Sequence, residues 1–149
     1  MEGVIDHHMR ALLCKIGGID ICITEFVRVT DHLLPKKVFT RLAPELDSPE
    51  LNPNATMRVQ LLGSKPHVLA ENAAKVARLG ASGIDLNFGC PAKTVNKNRG
   101  GACLLKETST LFDIVSACRQ AVPPHIPVTA KIRLGYDARA SYLDNARAI

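Results

Sequence analysis

Short apolar runs alternate along this chain with longer stretches whose apolar residues recur every third or fourth position. Ile5, Met9, Leu12, Leu13 and Ile16 carry the helical spacing across residues 4–16, and Gly17-Gly18 ends that segment. Residues 21–26 form a compact apolar run that predicts a short buried strand. Prolines at 35, 44, 49 and 53 then predict a loop-rich connection over 27–57, with one helical turn near 31–34. A second strand is predicted at 58–62. Ser64 and Pro66 follow in the order that helix starts prefer, and Leu69, Ala73, Val76 and Ala77 form a stripe that Gly80 stops. A third strand falls at 83–87. After a loop, Thr108 or Ser109 is placed to cap a helix with Leu111, Ile114, Val115, Cys118 and Val122 on one face, ended by Pro123-Pro124. The last full strand is expected at 127–133, and a further helix begins at Ser141.

Strands separated by helices of this length imply right-handed βαβ units and a parallel α/β sheet. The pattern alone leaves an open doubly wound sheet and a barrel equally available. In a barrel, the strand faces turned inward are expected to be apolar. Parallel strands share one rim at their C-terminal ends. Met1, Glu25, Gln60, Asn87, Cys90, Lys131 and Arg133 all fall at or near such ends. Polar groups converging from separate strands are what a strand-end active site requires.

Cys90 has the most constrained setting of these. It closes Asp85-Leu86-Asn87-Phe88-Gly89-Cys90-Pro91, where an apolar strand opens into a turn. Pro91 fixes its own φ and restricts the residue before it, so the thiol has an ordered backbone. An unperturbed thiol titrates near pH ~8.5 and is mostly protonated at neutrality, which suits a proton donor. The other cysteines, 14, 22, 103 and 118, form no C-x-x-C pair and read as packing residues. The histidines at 7, 8, 32, 67 and 125 have no metal-ligand spacing, so no metal is expected.

The net charge of +5, from 19 basic and 14 acidic residues, favours anionic partners. Because no cluster exceeds Lys36-Lys37, charge alone does not establish nucleic-acid binding. No apolar run approaches the ~18 residues of a membrane span, and a soluble, reducing, cytoplasmic setting is expected. At 149 residues the chain suffices for one domain but falls short of a (β/α)₈ barrel, which takes about 200 residues or more.

The Asp-Leu-Asn-x-Gly-Cys-Pro stretch, followed by Lys93, Val95, Gly100-Gly101-Ala102 and Leu104-Leu105, resembles the active-site signature of tRNA-dihydrouridine synthases. Met1-Glu2-Gly3-Val4 resembles the end of that family's first strand, Arg58-Val59-Gln60-Leu61-Leu62-Gly63 its third, and Lys131-Ile132-Arg133-Leu134-Gly135 its fifth. Thr24-Glu25-Phe26-Val27-Arg28-Val29 and Leu33-Leu34-Pro35 look most like bacterial subfamily C. The resemblance chooses the barrel. It implies a partial TIM barrel of about strands two to five with the end of strand one. On this reading residues 1–149 are an incomplete catalytic domain, without the later strands and the C-terminal helical tRNA-binding domain, and inactive alone.

The family's reaction is reduction of uridine to 5,6-dihydrouridine in the D-loop of tRNA, using FMN reduced by NADPH. Hydride reaches uracil C6 from the flavin and a proton reaches C5. Cys90 matches the proton donor. Met1, Glu2, Gln60 and Lys131 match flavin-binding positions; Lys131 would set a positive charge beside the ring region that gains negative charge on reduction. Asn87 and Arg133 match positions near the target nucleotide, and Arg28, Lys93, Lys97 and Arg99 would meet RNA. The full-length family enzyme is expected to be a monomer. The alternatives are another FMN barrel acting on a small pyrimidine, and a non-catalytic remnant.

Overall fold

The structure, a computed structural model, describes residues 5–52, 54–137 and 142–149. Met1, Glu2 and Ser141 lie outside the described residues. The elements in chain order are α1 (His7–Ile16), β1 (Ile21–Ile23), β2 (Val27–Arg28), α2 (Lys36–Leu42), β3 (Thr56–Leu62), α3 (Pro66–Arg78), β4 (Gly83–Phe88), α4 (Lys93–Lys97), α5 (Thr108–Ala121), β5 (Val128–Ile132) and α6 (Tyr142–Arg147). Short 3₁₀ turns occupy Pro44–Leu46, Pro49–Leu51 and Gly101–Lys106.

All strand pairings are parallel, in the order β1-β3-β4-β5, with β2 also on β3. Spatial order follows chain order with no reversal. A doubly wound sheet needs a reversal, so this is the curled arc of a partial barrel. β1 and β2 are one interrupted strand on the same edge of β3. Ile23 pairs with Arg58 and Val27 with Leu61, so four steps on one strand answer three on the other. Thr24 sits in that break. Its amide donates to the Arg58 carbonyl, and its buried hydroxyl accepts the Gln60 amide at 3.1 Å, replacing the displaced main-chain carbonyl.

Side chains alternate across each strand. Val59 and Leu61 of β3 with Ile84, Leu86 and Phe88 of β4 pack on Leu69, Ala73 and Val76 of α3 and Leu111, Ile114 and Cys118 of α5. The stripes read for α3 and α5 are therefore buried ones. The opposite sheet face corrects an expectation. Over β3 to β5 it is largely polar, with Arg58, Gln60, Asp85, Asn87, Thr129 and Lys131 in adjacent register positions, while Ile21 and Ile23 of β1 and Leu62 of β3 keep apolar groups on it. Apolar burial in this arc is directed at the helices, and the inner face is satisfied by side-chain hydrogen bonds instead.

Several local expectations are also revised. No helical turn forms at 31–34, because α3 side chains take the main-chain groups that it would need. Asn72 accepts the Leu34 amide and donates to the His32 carbonyl, while Lys75 donates to the Leu34 carbonyl at 2.6 Å. The helix lies after Pro35, as α2, with Phe39 fully buried. Ser64 caps nothing; Lys65 is the residue before α3, and Glu107 rather than Thr108 or Ser109 precedes α5. The loop after Cys90 contains α4 and a 3₁₀ turn.

The apolar stripe assigned to α1 is the largest departure. Met9, Leu12 and Ile16 are exposed, Ile16 to 76 %, whereas Arg10 and Cys14 are buried. Arg10 is only 1 % exposed and holds both carboxylate oxygens of Glu45 at 3.0 Å. Its Nη2 also donates to the carbonyl of Leu42, at the C-terminal end of α2, at 2.8 Å. A cation there meets an orphan carbonyl and the negative end of the helix dipole. Pairing thus overrides the apolar periodicity.

Candidate active site

β4 delivers Cys90 to the rim, two residues beyond its end at Phe88. The thiol-bearing residue is half-buried and its main chain is held on both sides. The amides of Gly89 and Cys90 donate to Asn87 Oδ1 at 3.0 and 3.1 Å, and the Cys90 carbonyl accepts the Ala102 amide at 2.9 Å. Arg133, just past β5, donates from Nε to the Gly89 carbonyl at 2.6 Å.

The 3₁₀ turn can approach Cys90 this closely only through Gly101. Its φ is +67°, and a Cβ there would lie 2.7 Å from the Cys90 carbonyl oxygen and 3.1 Å from Cys90 Cβ. Gly101→Ala is expected to cost about 1–3 kcal/mol of stability, from a left-handed residue and a main-chain clash. Urea unfolding would read this as a lowered midpoint. An unchanged midpoint would show that the turn is not packed as described.

Below the loop, Asn87 Nδ2 donates to Gln60 Oε1 at 2.8 Å, and Gln60 Nε2 donates to Asp85 Oδ2 at 2.7 Å. Thr129 Oγ1 donates to Asp85 Oδ1 at 2.7 Å and accepts from Arg58 at 3.4 Å. Gln60, Asp85 and Asn87 are all buried, Asp85 to 3 % exposure. Lys131 is exposed, and its register partner is Asn87. Asn87 spends both lone pairs of Oδ1 on the loop and one proton on Gln60, which leaves one N–H for a ligand. Gln60 likewise retains one Nε2 proton. The open face therefore offers amide donors and an ammonium, a set suited to a ring edge rich in carbonyl and nitrogen acceptors.

Cys90, Gln60, Asn87, Lys131 and Arg133 thus lie together at one strand-end rim. Arg28 and Lys93 lie at the same rim, both exposed, and Arg28 donates to the Thr94 carbonyl of α4 at 3.1 Å. Arg99 is exposed and paired with Glu107 at 3.0 Å. That guanidinium holds the Glu107 carboxyl below its ordinary range. Glu25 lies in the break between β1 and β2. A cavity of about 140 Å³ beside this rim is lined by Arg28, Asp31, Lys65, Asn98 and Gly100, and contains none of the residues around Cys90. Sequence reasoning gave no individual role to Thr24, Asp85, Thr129 or Gly101, although Thr24, Asp85 and Gly101 lie within matched segments. Asp85 had a signal, a carboxylate inside an otherwise apolar strand.

The remaining thiols behave as packing groups. Burial pushes Cys118 up to about 12, and burial with the neighbouring Cys14 pushes Cys22 up to about 11. The unfolded thiols ionise from about pH 9. Below that the two states hold the same protons, and above it the unfolded state loses them first. Stability is therefore expected to be insensitive to these thiols below pH ~9 and to fall between pH ~9 and ~12. Alkaline unfolding of Cys118→Ala, with a shallower decline over this window, would check it; an identical slope would contradict it.

Among the described residues there is no group of histidine, cysteine and acidic side chains able to hold a metal, and no helix long and apolar enough to cross a membrane. The family model for dihydrouridine synthase (Dus) matches residues 1–149. Among curated proteins, the tRNA-dihydrouridine(16) synthase of Shewanella oneidensis is 55 % identical over all of this chain and 48 % of its own length. The proteins of the same name from Pseudomonas putida and Escherichia coli are 57 % and 51 % identical over the whole chain, covering 46 % and 48 % of their lengths. The chain spans about half the length of the curated relatives that it matches. With the signature around Cys90, the parallel arc and a family match along its full extent, the chain belongs to the dihydrouridine synthase family.

Proposed function

We propose that residues 1–149 serve in an FMN-dependent barrel domain that reduces uridine to 5,6-dihydrouridine in the D-loop of tRNA, at the position named for its subfamily C relatives. The observation that carries this is the doubly held Cys90 main chain beside Gln60, Asn87 and Lys131. When bound and reduced by NADPH, FMN supplies the hydride to uracil C6.

The chain's own residues supply the rest. Gln60 presents an amide N–H to the flavin edge, and Lys131 offers a fixed positive charge where the reduced ring is negative. Met1 and Glu2 join them by family position. Asn87 offers its one spare N–H to a carbonyl of the extruded uracil. Cys90 donates its thiol proton to C5, and solvent restores it. Arg28, Lys93 and Arg133 meet the tRNA near the target nucleotide. A tRNA substrate implies a cytoplasmic setting.

The test is incubation of unmodified tRNA with NADPH, FMN and an enzyme that contains this segment, followed by nucleoside mass spectrometry. A uridine heavier by two hydrogens, mapped to the D-loop, is expected. Reduction of free uracil with none in tRNA would instead support the small-pyrimidine reading.

A further inference from the structure

The hydrogen bonds of the inner face all run in one sense. The Gly89 and Cys90 amides donate to Asn87, Asn87 donates to Gln60, and Gln60 donates to Asp85. From the other side Arg58 donates to Thr129, which donates to Asp85. Two ends of this chain admit no ambiguity. Main-chain amides can only donate, and a carboxylate can only accept. The two carboxamides between them have no second choice of orientation. If Gln60 were turned, its carbonyl would face the carboxylate and its NH₂ would face the Asn87 NH₂.

We infer that Asp85 is a positioning residue for the Cys90 loop, setting the amide orientations of Gln60 and Asn87 and so the hydrogen bonds that clamp Gly89 and Cys90. It touches neither the loop nor an open surface. Its influence passes through two side chains that are themselves buried. The same orientation decides what the site shows a ligand. With Oδ1 committed to the loop, Asn87 presents only a donor, and Gln60 keeps its NH₂ on the Asp85 side. Without Asp85 the orientation is held from the loop end alone, and the Gln60 Nε2 proton that it accepted is left buried without a partner. The inference deepens the reading of Cys90 as the proton donor and rests on it for its significance.

The experiment reads the loop and not the reaction, so the two can fail separately. Asp85→Leu, Gln60→Leu and Asp85→Asn would be made in the intact chain. Alkylation by iodoacetamide under native conditions would be followed by peptide mass mapping at Cys90, with Cys103 as the internal reference. Cys103 suits this role because its own bonds run to Asn96 and Gly100, outside the relay. Asp85→Leu and Gln60→Leu are expected to change the Cys90-to-Cys103 rate ratio about tenfold, as the loop loses its acceptor.

Asp85→Asn should stay near the parent ratio, because Asn can still accept from Gln60 while its NH₂ donates to Thr129. That rescue separates orientation from mere filling of space. An unchanged ratio in folded Asp85→Leu would overturn the inference. So would equal acceleration at Cys90, Cys103 and the buried cysteines, which would indicate general loosening. If Asp85→Leu does not fold, Gln60→Leu and Asp85→Asn decide by the same criteria.

Discussion

Replacement of Cys90 by alanine is expected to slow uridine reduction by about 10²-fold or more, the usual contribution of a positioned proton donor. The expectation follows from where the residue is held. Its amide is fixed by Asn87, its carbonyl by Ala102, and the Cβ of Cys90 packs on Gly101. Alanine keeps all three of these arrangements, because none involves the sulfur. The variant should therefore fold, bind flavin and accept electrons from NADPH as before. On the proposed mechanism only the proton delivered to uracil C5 would be lost. The measurement is a split assay on an active enzyme containing this segment, with NADPH oxidation in one arm and dihydrouridine formation on unmodified tRNA in the other. Near-normal turnover on tRNA would remove Cys90 from the mechanism. Equal loss in both arms would make it a structural residue.

Glu45→Leu is expected to give the largest loss of stability, about 3–5 kcal/mol, because it leaves the Arg10 guanidinium buried without its counter-charge. Arg10 is 1 % exposed, and its two bonds to Glu45 are both 3.0 Å long. The pair joins α1 to the turn that follows α2. Exposed pairs such as Lys36–Asp47 and Lys65–Asp31 carry no comparable expectation, since solvent screens them. The double variant Arg10→Met with Glu45→Leu should recover most of the loss, because the desolvation cost of both charges disappears together. Urea unfolding of the parent, the single and the double variant closes the cycle. A single variant as stable as the parent would mean that Arg10 finds water or another acceptor.

Electrostatics of this kind explains which expectations the sequence could not support. Periodicity reports apolar surface and knows nothing of partners. In α1 it pointed to Met9, Leu12 and Ile16, whereas the tertiary structure buries Arg10, because a carboxylate 35 positions away meets it. In α3 and α5 no such partner intervenes, and Leu69, Ala73, Val76, Leu111, Ile114 and Cys118 are buried as their spacing requires. Helix α2 was hidden for a related reason. Four prolines suggested a loop-rich connection over 27–57 with one helical turn near 31–34, and Phe39 is a core residue because the tertiary fold sets α2 against β2 and the 3₁₀ turn that follows it.

The candidate site divides the same way. The place of Cys90 was legible because a strand, a glycine turn and a following proline are local features, and a thiol at a strand end needs no knowledge of what lies opposite. Gln60, Asn87 and Lys131 were legible as polar residues closing apolar runs. By itself the sequence thus determined the alternation of strand and helix, the parallel sense of the sheet and the rim on which the thiol sits. Only the tertiary structure decided that the inner face is largely polar over β3 to β5, that Asp85 collects its hydrogen bonds, and that Gly101 must be small. Those depend on register, Gln60 beside Asp85 and Asn87 beside Lys131, and on contacts between segments far apart in the chain. Local propensity constrains the backbone of each segment, but a hydrogen bond between strands exists only after both have been brought to the same height in one sheet.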